Sequence, residues 1–294
     1  MVQSFALLKE AELKALLPDM TLMIFPVGGL EQHGPHLPMG TKIMECREWV
    51  EGLASKLQEQ LPAWNFIIMP VIPFTVDTYT TTTAITVRPH VVRDALVDQC
   101  DSLKKKGFTQ FAAFSSHFSP KQLSAIEDAS KIVARKKKFT FISLSSGLID
   151  TKTVLRSPMI PLPEEHAGEF ETGFVLSKHP ELVSPEYASM VKVDAPRASV
   201  ERFFQYFKGN LDGYWGNPSA ANPENAKNKM NRELDLLVEK VKPVLEKGKG
   251  KSVFFSGYRS IPFNGSFFKA YILATLFFFS VFVWMVWGVK NVFE

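Results

Sequence analysis

Thr21-Leu22-Met23-Ile24-Phe25-Pro26-Val27 runs directly into Gly28-Gly29-Leu30-Glu31-Gln32-His33-Gly34-Pro35-His36-Leu37-Pro38-Met39-Gly40-Thr41-Lys42. The first seven residues show no apolar/polar alternation, so they predict a strand buried on both faces, as in a parallel sheet. Working outward, Phe66–Val71, Thr83–Val87, Gln110–Ser115 and Phe139–Leu144 read as further buried or half-buried strands. Helical patterns fall between them, over Met44–Leu61, Val91–Lys106 and Lys121–Lys137. The second is amphipathic through Val92, Leu96, Cys100 and Leu103. This alternation predicts an α/β fold with a mainly parallel sheet. Farther on, Asn222-Pro223-Glu224 has the chemistry of a helix start, an Asn cap followed by Pro in the first turn. Met230, Leu234, Leu237, Val241 and Val244 then form one apolar stripe, which must pack on the body or on a neighbouring subunit.

The chain has 294 residues, 46% of them hydrophobic and 22% charged, enough for one large domain or two small ones. That balance excludes a disordered chain, a collagen and a disulfide mini-protein. Its two cysteines, Cys46 and Cys100, sit in no metal-type spacing, which fits a reducing compartment and argues against a cysteine-ligated zinc site. Cys46 reads as a small apolar residue in the first turn of a helix. The formal charge of +4 is unevenly spread: from Lys240 onward seven Lys and Arg259 face only Glu246 and Glu294, net +6, which leaves the body at −2. A basic tail on a slightly acidic body argues against nucleic acid and for an anionic surface met by the tail.

Ala270 to Val289 is twenty residues without a charge, bounded by Lys269 and Lys290, with Tyr271, Trp284 and Trp287 near its ends. At 1.5 Å per residue it matches the roughly 30 Å hydrocarbon core of a bilayer, and it predicts a C-terminal transmembrane helix. Lysines and arginines gather on its N-terminal side, so the body is expected in the cytoplasm, single-pass at the inner (cytoplasmic) membrane. The N-terminus, with Lys and Glu mixed through its apolar residues, lacks the core of a secretory signal. The expected organisation is a cytoplasmic domain over 1–246, a basic linker over 247–269, the span over 270–289 and a short tail over 290–294.

In open α/β sheets the functional crevice lies beyond the carboxyl ends of the strands. Glu31, His33 and His36 follow the first buried strand, and Ser116-His117 follows the strand Gln110–Ser115. Imidazole and carboxylate converging from two strand ends form a donor set suited to zinc, manganese or iron.

These residues resemble the creatininase family, the creatinine amidohydrolases. The match runs from Phe25 through Thr41, takes in the Thr-rich stretch from Thr80 to Val87 and the strand ending at His117, and continues with Glu165-His166-Ala167-Gly168-Glu169-Phe170-Glu171-Thr172. Gly213-Tyr214-Trp215-Gly216-Asn217-Pro218 matches more weakly. The resemblance covers roughly Leu22 to Val244. It implies a three-layer α-β-α domain, often assembled into rings of six, with a two-metal centre that activates water against an amide bond. By the same resemblance Glu31, His33, His117 and Glu171 are metal ligands. Glu165 and His166 are the pair beside the substrate, His166 donating a proton to the leaving nitrogen. A transmembrane tail is not part of the family pattern.

Two departures bear on activity. Family members carry a metal-bridging Asp after Gly-Thr, where this chain has Lys42. The loop after His117 reads Phe118-Ser119-Pro120, with Ser119 where a Glu or Gly is usual. A buried Lys needs carboxylate partners, for which Glu31 and Glu171 are the candidates. The leading expectation is that the Lys42 ammonium stands in for metal charge, in a membrane-anchored homo-oligomer that serves as a non-catalytic scaffold or assembly component for membrane-protein partners, with no resident metal. The alternative is an active amidohydrolase on a small or membrane-delivered substrate, with a divalent metal held by His33 or His117 and a carboxylate, or with Lys42 carbamylated. Two further stretches have plain readings beside functional ones. Thr78 to Thr83 and Pro89-His90 could line a pocket or simply form a strand. Phe203, Phe204, Tyr206 and Phe207 could meet a partner or pack as a helix on the core.

Overall fold

The computed structural model describes residues 1–76, 78, 83–136, 138–150, 165–194, 213–248, 250–258 and 275–285. Six strands, β1 (Val2–Ser4), β2 (Thr21–Val27), β3 (Asn65–Ile68), β4 (Gln110–Ser115), β5 (Thr140–Ser143) and β6 (Ser252–Val253), form one sheet in the order β1-β3-β2-β4-β5-β6. Every pairing is parallel, and β2 and β4 lie at its centre, in register from Leu22 opposite Gln110 to Val27 opposite Ser115.

Alternation along β2 sorts its side chains between two apolar layers. Leu22 and Ile24 join one layer with Cys46, Trp49, Val50, Leu53 and Leu57 of α2 (Thr41–Gln60). Met23, Phe25 and Val27 join the other with Val92, Leu96, Cys100 and Leu103 of α3 (Pro89–Lys104) and with Ala125, Ile126 and Ala129 of α4 (Pro120–Val133). Helices thus cover both faces of the sheet, giving the expected three layers. Shorter helices are α1 (Glu10–Ala15), α5 (Leu144–Gly147) and α6 (Glu169–Lys178). The last long helix, α7 (Pro223–Lys247), starts where its sequence signals it: the Asn222 side chain accepts from the Asn225 amide at 3.0 Å. Met230, Leu234, Leu237 and Val241 of its stripe are buried against α2 and its layer, so the stripe packs on the body.

Helix α2 begins earlier than its apolar periodicity suggests, because the Thr41 hydroxyl and amide both bond the Pro38 carbonyl, at 2.7 and 3.1 Å. Its first turn lies against the end of β2 so closely that a Cβ on Gly28 would be 2.4 Å from the Lys42 carbonyl oxygen. Residues 83–87 form no strand; Thr86 makes only an isolated bridge to Thr75. Three-residue β1 and two-residue β6 are too short to leave a periodic signal, and neither was expected. Beta-strand β6 and the residues up to Tyr258 belong to the stretch expected as linker.

The transmembrane helix expected over 270–289 is not found: no helix of the described residues is long and apolar enough to cross a membrane. Within that stretch residues 275–285 are helical, and the residues on either side of them lie outside those described. Trp284 lies on this helix, whereas Lys269, Tyr271, Trp287 and Lys290 lie outside the described residues, as do Tyr79 to Thr82 and Phe203 to Phe207.

Candidate metal centre

The carboxyl ends of β2 and β4 bring together most of the residues expected there. Glu31, His33, His117, His166, Lys42 and Glu171 are all buried. Glu31, His33 and His166 offer ligand atoms within 4.8 Å of one another, a group able to hold a metal ion.

Hydrogen bonds fix the histidine tautomers, because a carbonyl oxygen only accepts. His33 Nδ1 donates to the Glu31 carbonyl at 3.0 Å, leaving the lone pair on Nε2. That nitrogen has no hydrogen-bond partner and faces Glu31 Oε1 at 3.9 Å and Glu171 Oε2 at 3.7 Å. His166 Nε2 donates to the Gln32 carbonyl at 2.8 Å, and its ring is 4.4 Å from that of His33 and 4.9 Å from that of Trp215. His117 Nε2 donates to the Val76 carbonyl at 3.1 Å, which turns Nδ1 towards Glu31 Oε1, 3.0 Å away. Neither Glu31 oxygen receives an aligned hydrogen bond from any of them. Burial pushes His33 down to about 4, with His166 adding to the shift, so its imidazole is neutral at pH 7. Burial alone would raise the Glu31 carboxyl, but His117, His33 and His166 hold it well below the usual carboxylate range. The His33 lone pair and an anionic carboxylate therefore face each other, with His117 Nδ1 beside the carboxylate. Such an arrangement is repulsive unless a proton or a cation sits between them, and its chemistry fits a divalent ion.

Lys42 occupies the other half of the site. Its ammonium donates to Glu171 Oε1 and to Glu45 Oε2, the latter at 3.0 Å. Burial would lower its pKa, yet Glu171, Glu45 and Glu31 outweigh that and hold it above its ordinary value. Glu171 is also bonded by the Ala167 amide through Oε2. Burial pushes the Glu45 carboxyl up to about 7, against the pull of Lys42. With a fixed ammonium among these carboxylates, the residues fit one divalent ion and not two.

The expected acid/base pair comes from the turn before α6. The His166 amide and carbonyl exchange hydrogen bonds with those of Trp215, both at 2.9 Å. Gly216 follows at φ 111°, where a Cβ would be 2.9 Å from that of Glu165, so only glycine lets this turn close. Glu165 accepts the Phe170 amide at 3.0 and 3.1 Å, and burial raises its carboxyl pKa. Glu165, His166, His117, Lys42 and Glu171 all line a cavity of about 750 Å³.

Two expected residues take structural roles. Ser119 caps α4, its hydroxyl accepting from the Gln122 amide at 3.2 Å and donating to the Val76 carbonyl at 2.9 Å. His36 is bonded to the Thr172 hydroxyl at 2.8 Å. Sequence reasoning missed Glu45, although its place three residues after Lys42 in the first turns of a helix puts the two side chains on one face.

Residues 6–241 match the creatininase family, described as creatinine amidohydrolase. No curated protein matches the sequence significantly. Among solved structures, a mutant creatininase is similar with a TM-score of 0.64 and 16% identity, covering 82% of this chain and 98% of that one. A creatininase described as an Mn form has a TM-score of 0.59 at 16% identity, covering 82% and 97%. A mutant creatininase of Zn-Zn type has a TM-score of 0.61 at 16% identity, covering 82% and 97%. At these identities the likeness is one of fold.

Proposed function

The chain belongs to the creatininase family, and on that premise we propose that it is a membrane-held hydrolase of carbon–nitrogen amide bonds that works with one divalent cation. The supporting observation is the fully buried Glu31 carboxylate, which faces His33 Nε2, a ring nitrogen with no hydrogen-bond partner, and lies 3.0 Å from His117 Nδ1. Glu31, His33 and His166 would hold the ion, zinc or manganese by analogy with the similar structures. When bound, it supplies Lewis acidity to an amide carbonyl and to water. Lys42 holds Glu171 and Glu45 in place and supplies the positive charge of a second ion. Glu165, with its raised pKa and its cavity-lining position, holds the proton destined for the leaving nitrogen.

The membrane part of the reading rests on the uncharged stretch 270–289. Within it Leu276, Phe277, Phe278, Phe279, Phe282 and Trp284 are 58–71% exposed, a large apolar surface to leave in water. The basic stretch before it would meet anionic lipid on the cytoplasmic side of the inner membrane. Assembly of identical chains into a ring would set several such helices on one face.

A second reading, a non-catalytic scaffold, is favoured by one observation, the Lys42 ion pairs that neutralise part of the site without metal. Plasma mass spectrometry of the full chain in detergent, purified without affinity metal, separates the two. About one ion per chain, lost in Glu31→Gln, together with chelator-sensitive amide hydrolysis, is the expected result. Metal-free, folded and inactive protein overturns the hydrolase reading in favour of the scaffold.

A further inference from the structure

The matched family region ends at residue 241, yet the cavity does not. Tyr258, only 5% exposed, lines it and packs on Leu123 together with Phe118 and Ile149. Trp49, Leu148 and Phe170 add further apolar surface to the same lining. Tyr258 is brought there by a chain segment that is itself fastened to the body. Beta-strand β6 adds to the sheet beside β5, pairing Ser252 with Phe141 and Val253 with Ile142. Three residues on, Ser256 is tied to Glu127, a fully buried carboxylate of α4. Glu127 Oε1 accepts the Ser256 amide at 2.7 Å, the Ser256 hydroxyl at 2.6 Å and the Ser146 hydroxyl at 2.8 Å. The Ser256 hydroxyl in turn accepts the Tyr258 amide at 3.3 Å.

We propose that Tyr258, with Phe118 and Ile149, forms an apolar subsite that selects amides carrying a hydrophobic group, and that Glu127 is the positioning residue that holds Tyr258 there. This rests on the reading of the cavity as an amide site. The physical basis is desolvation: a hydrophobic substituent entering this wall leaves water, while a small polar amide gains nothing from it. A buried carboxylate receiving three donors is strong enough to hold a short segment that has only two sheet residues of its own.

The test is isothermal titration of the full chain in detergent with phenylacetamide and with acetamide. The wild type is expected to bind phenylacetamide at least about tenfold more tightly. Tyr258→Ala loses that preference, Tyr258→Phe keeps it, and Glu127→Ala weakens it through loss of the latch. If Tyr258→Ala does not fold, as read from its melting temperature, Tyr258→Leu takes its place and is expected to show a reduced preference. Equal binding of both amides by the wild type, or an unchanged preference in a folded alanine or leucine variant, overturns the proposal. Binding without turnover sinks the hydrolase reading and leaves the subsite standing, whereas turnover without preference does the reverse.

Discussion

Lys42 Nζ donates to Glu45 Oε2 across 3.0 Å, and both side chains are more than nine-tenths buried. Removing the ammonium while leaving Glu45 and Glu171 in place strands two carboxylates away from water. Lys42→Met is therefore expected to cost roughly 3–5 kcal/mol, read as a drop in the urea midpoint at pH 7.5. Lys42→Asp should behave differently: unstable when stripped of metal, recovered by added zinc or manganese, with the metal content rising from about one to about two per chain. A metal content unchanged by Lys42→Asp would show that Lys42 does not occupy a second ion's place.

His36 sets a pH dependence whose sign follows from its burial. Desolvation lowers its pKa from 6.5 to about 4, against the opposing pull of Glu186 and Glu171. Above pH 6.5 both folded and unfolded chains keep it neutral. Between 6.5 and 4 the unfolded chain takes up a proton that the folded chain refuses, so stability declines as the pH falls through that window. His36→Gln, which can still bond the Thr172 hydroxyl, is expected to flatten the decline in urea midpoints measured at pH 7, 5.5 and 4.5.

Gly216→Ala should be costly out of proportion to one methyl group. The residue sits at φ 111° with Glu165 and the Gly168 Cα within about 3 Å of any added Cβ. A loss of roughly 2–3 kcal/mol in stability is expected from backbone strain and the clash together. The bridge that pins His166 to Trp215 should loosen with it, read as faster amide hydrogen exchange at His166.

Membrane attachment is checked by extraction. The full chain should stay with the membrane fraction in high salt and alkaline carbonate and leave it in detergent, because apolar burial and not charge retains it. Ending the chain after Tyr258, which keeps β6 and the Glu127 contacts, should release a folded protein into the soluble fraction.

Much of the fold was legible because β2 and β4 are long and continuous in hydrophobicity, and because helices of fourteen to twenty-five residues carry a clear apolar stripe. The start of α7 was legible from Asn222 and Pro223 alone. What was not legible depends on pairing at a distance. Ser252–Val253 becomes a strand only because β5 offers an edge, and residues 83–87, for all their β-branched content, find no such edge. In the site, the convergence of Glu31, His33 and His117 followed from two strand ends meeting. Glu45 was hidden because it looks like an ordinary helix-surface acid until Lys42 turns inward beside it. Ser119 departs from the family pattern at a place where the chain also needs a helix cap, a requirement visible only once Pro120 is seen to open α4.

Each of the two apolar layers contains one cysteine, Cys46 on the α2 side of the sheet and Cys100 on the α3 side, both fully buried and with thiol pKa values raised chiefly by burial. Neither can react with an alkylating reagent until its own layer opens. The native sequence therefore contains a pair of clocks, one for each half of the molecule. Their labelling rates would tell whether the two faces of the sheet come apart together, as one cooperative unit, or separately.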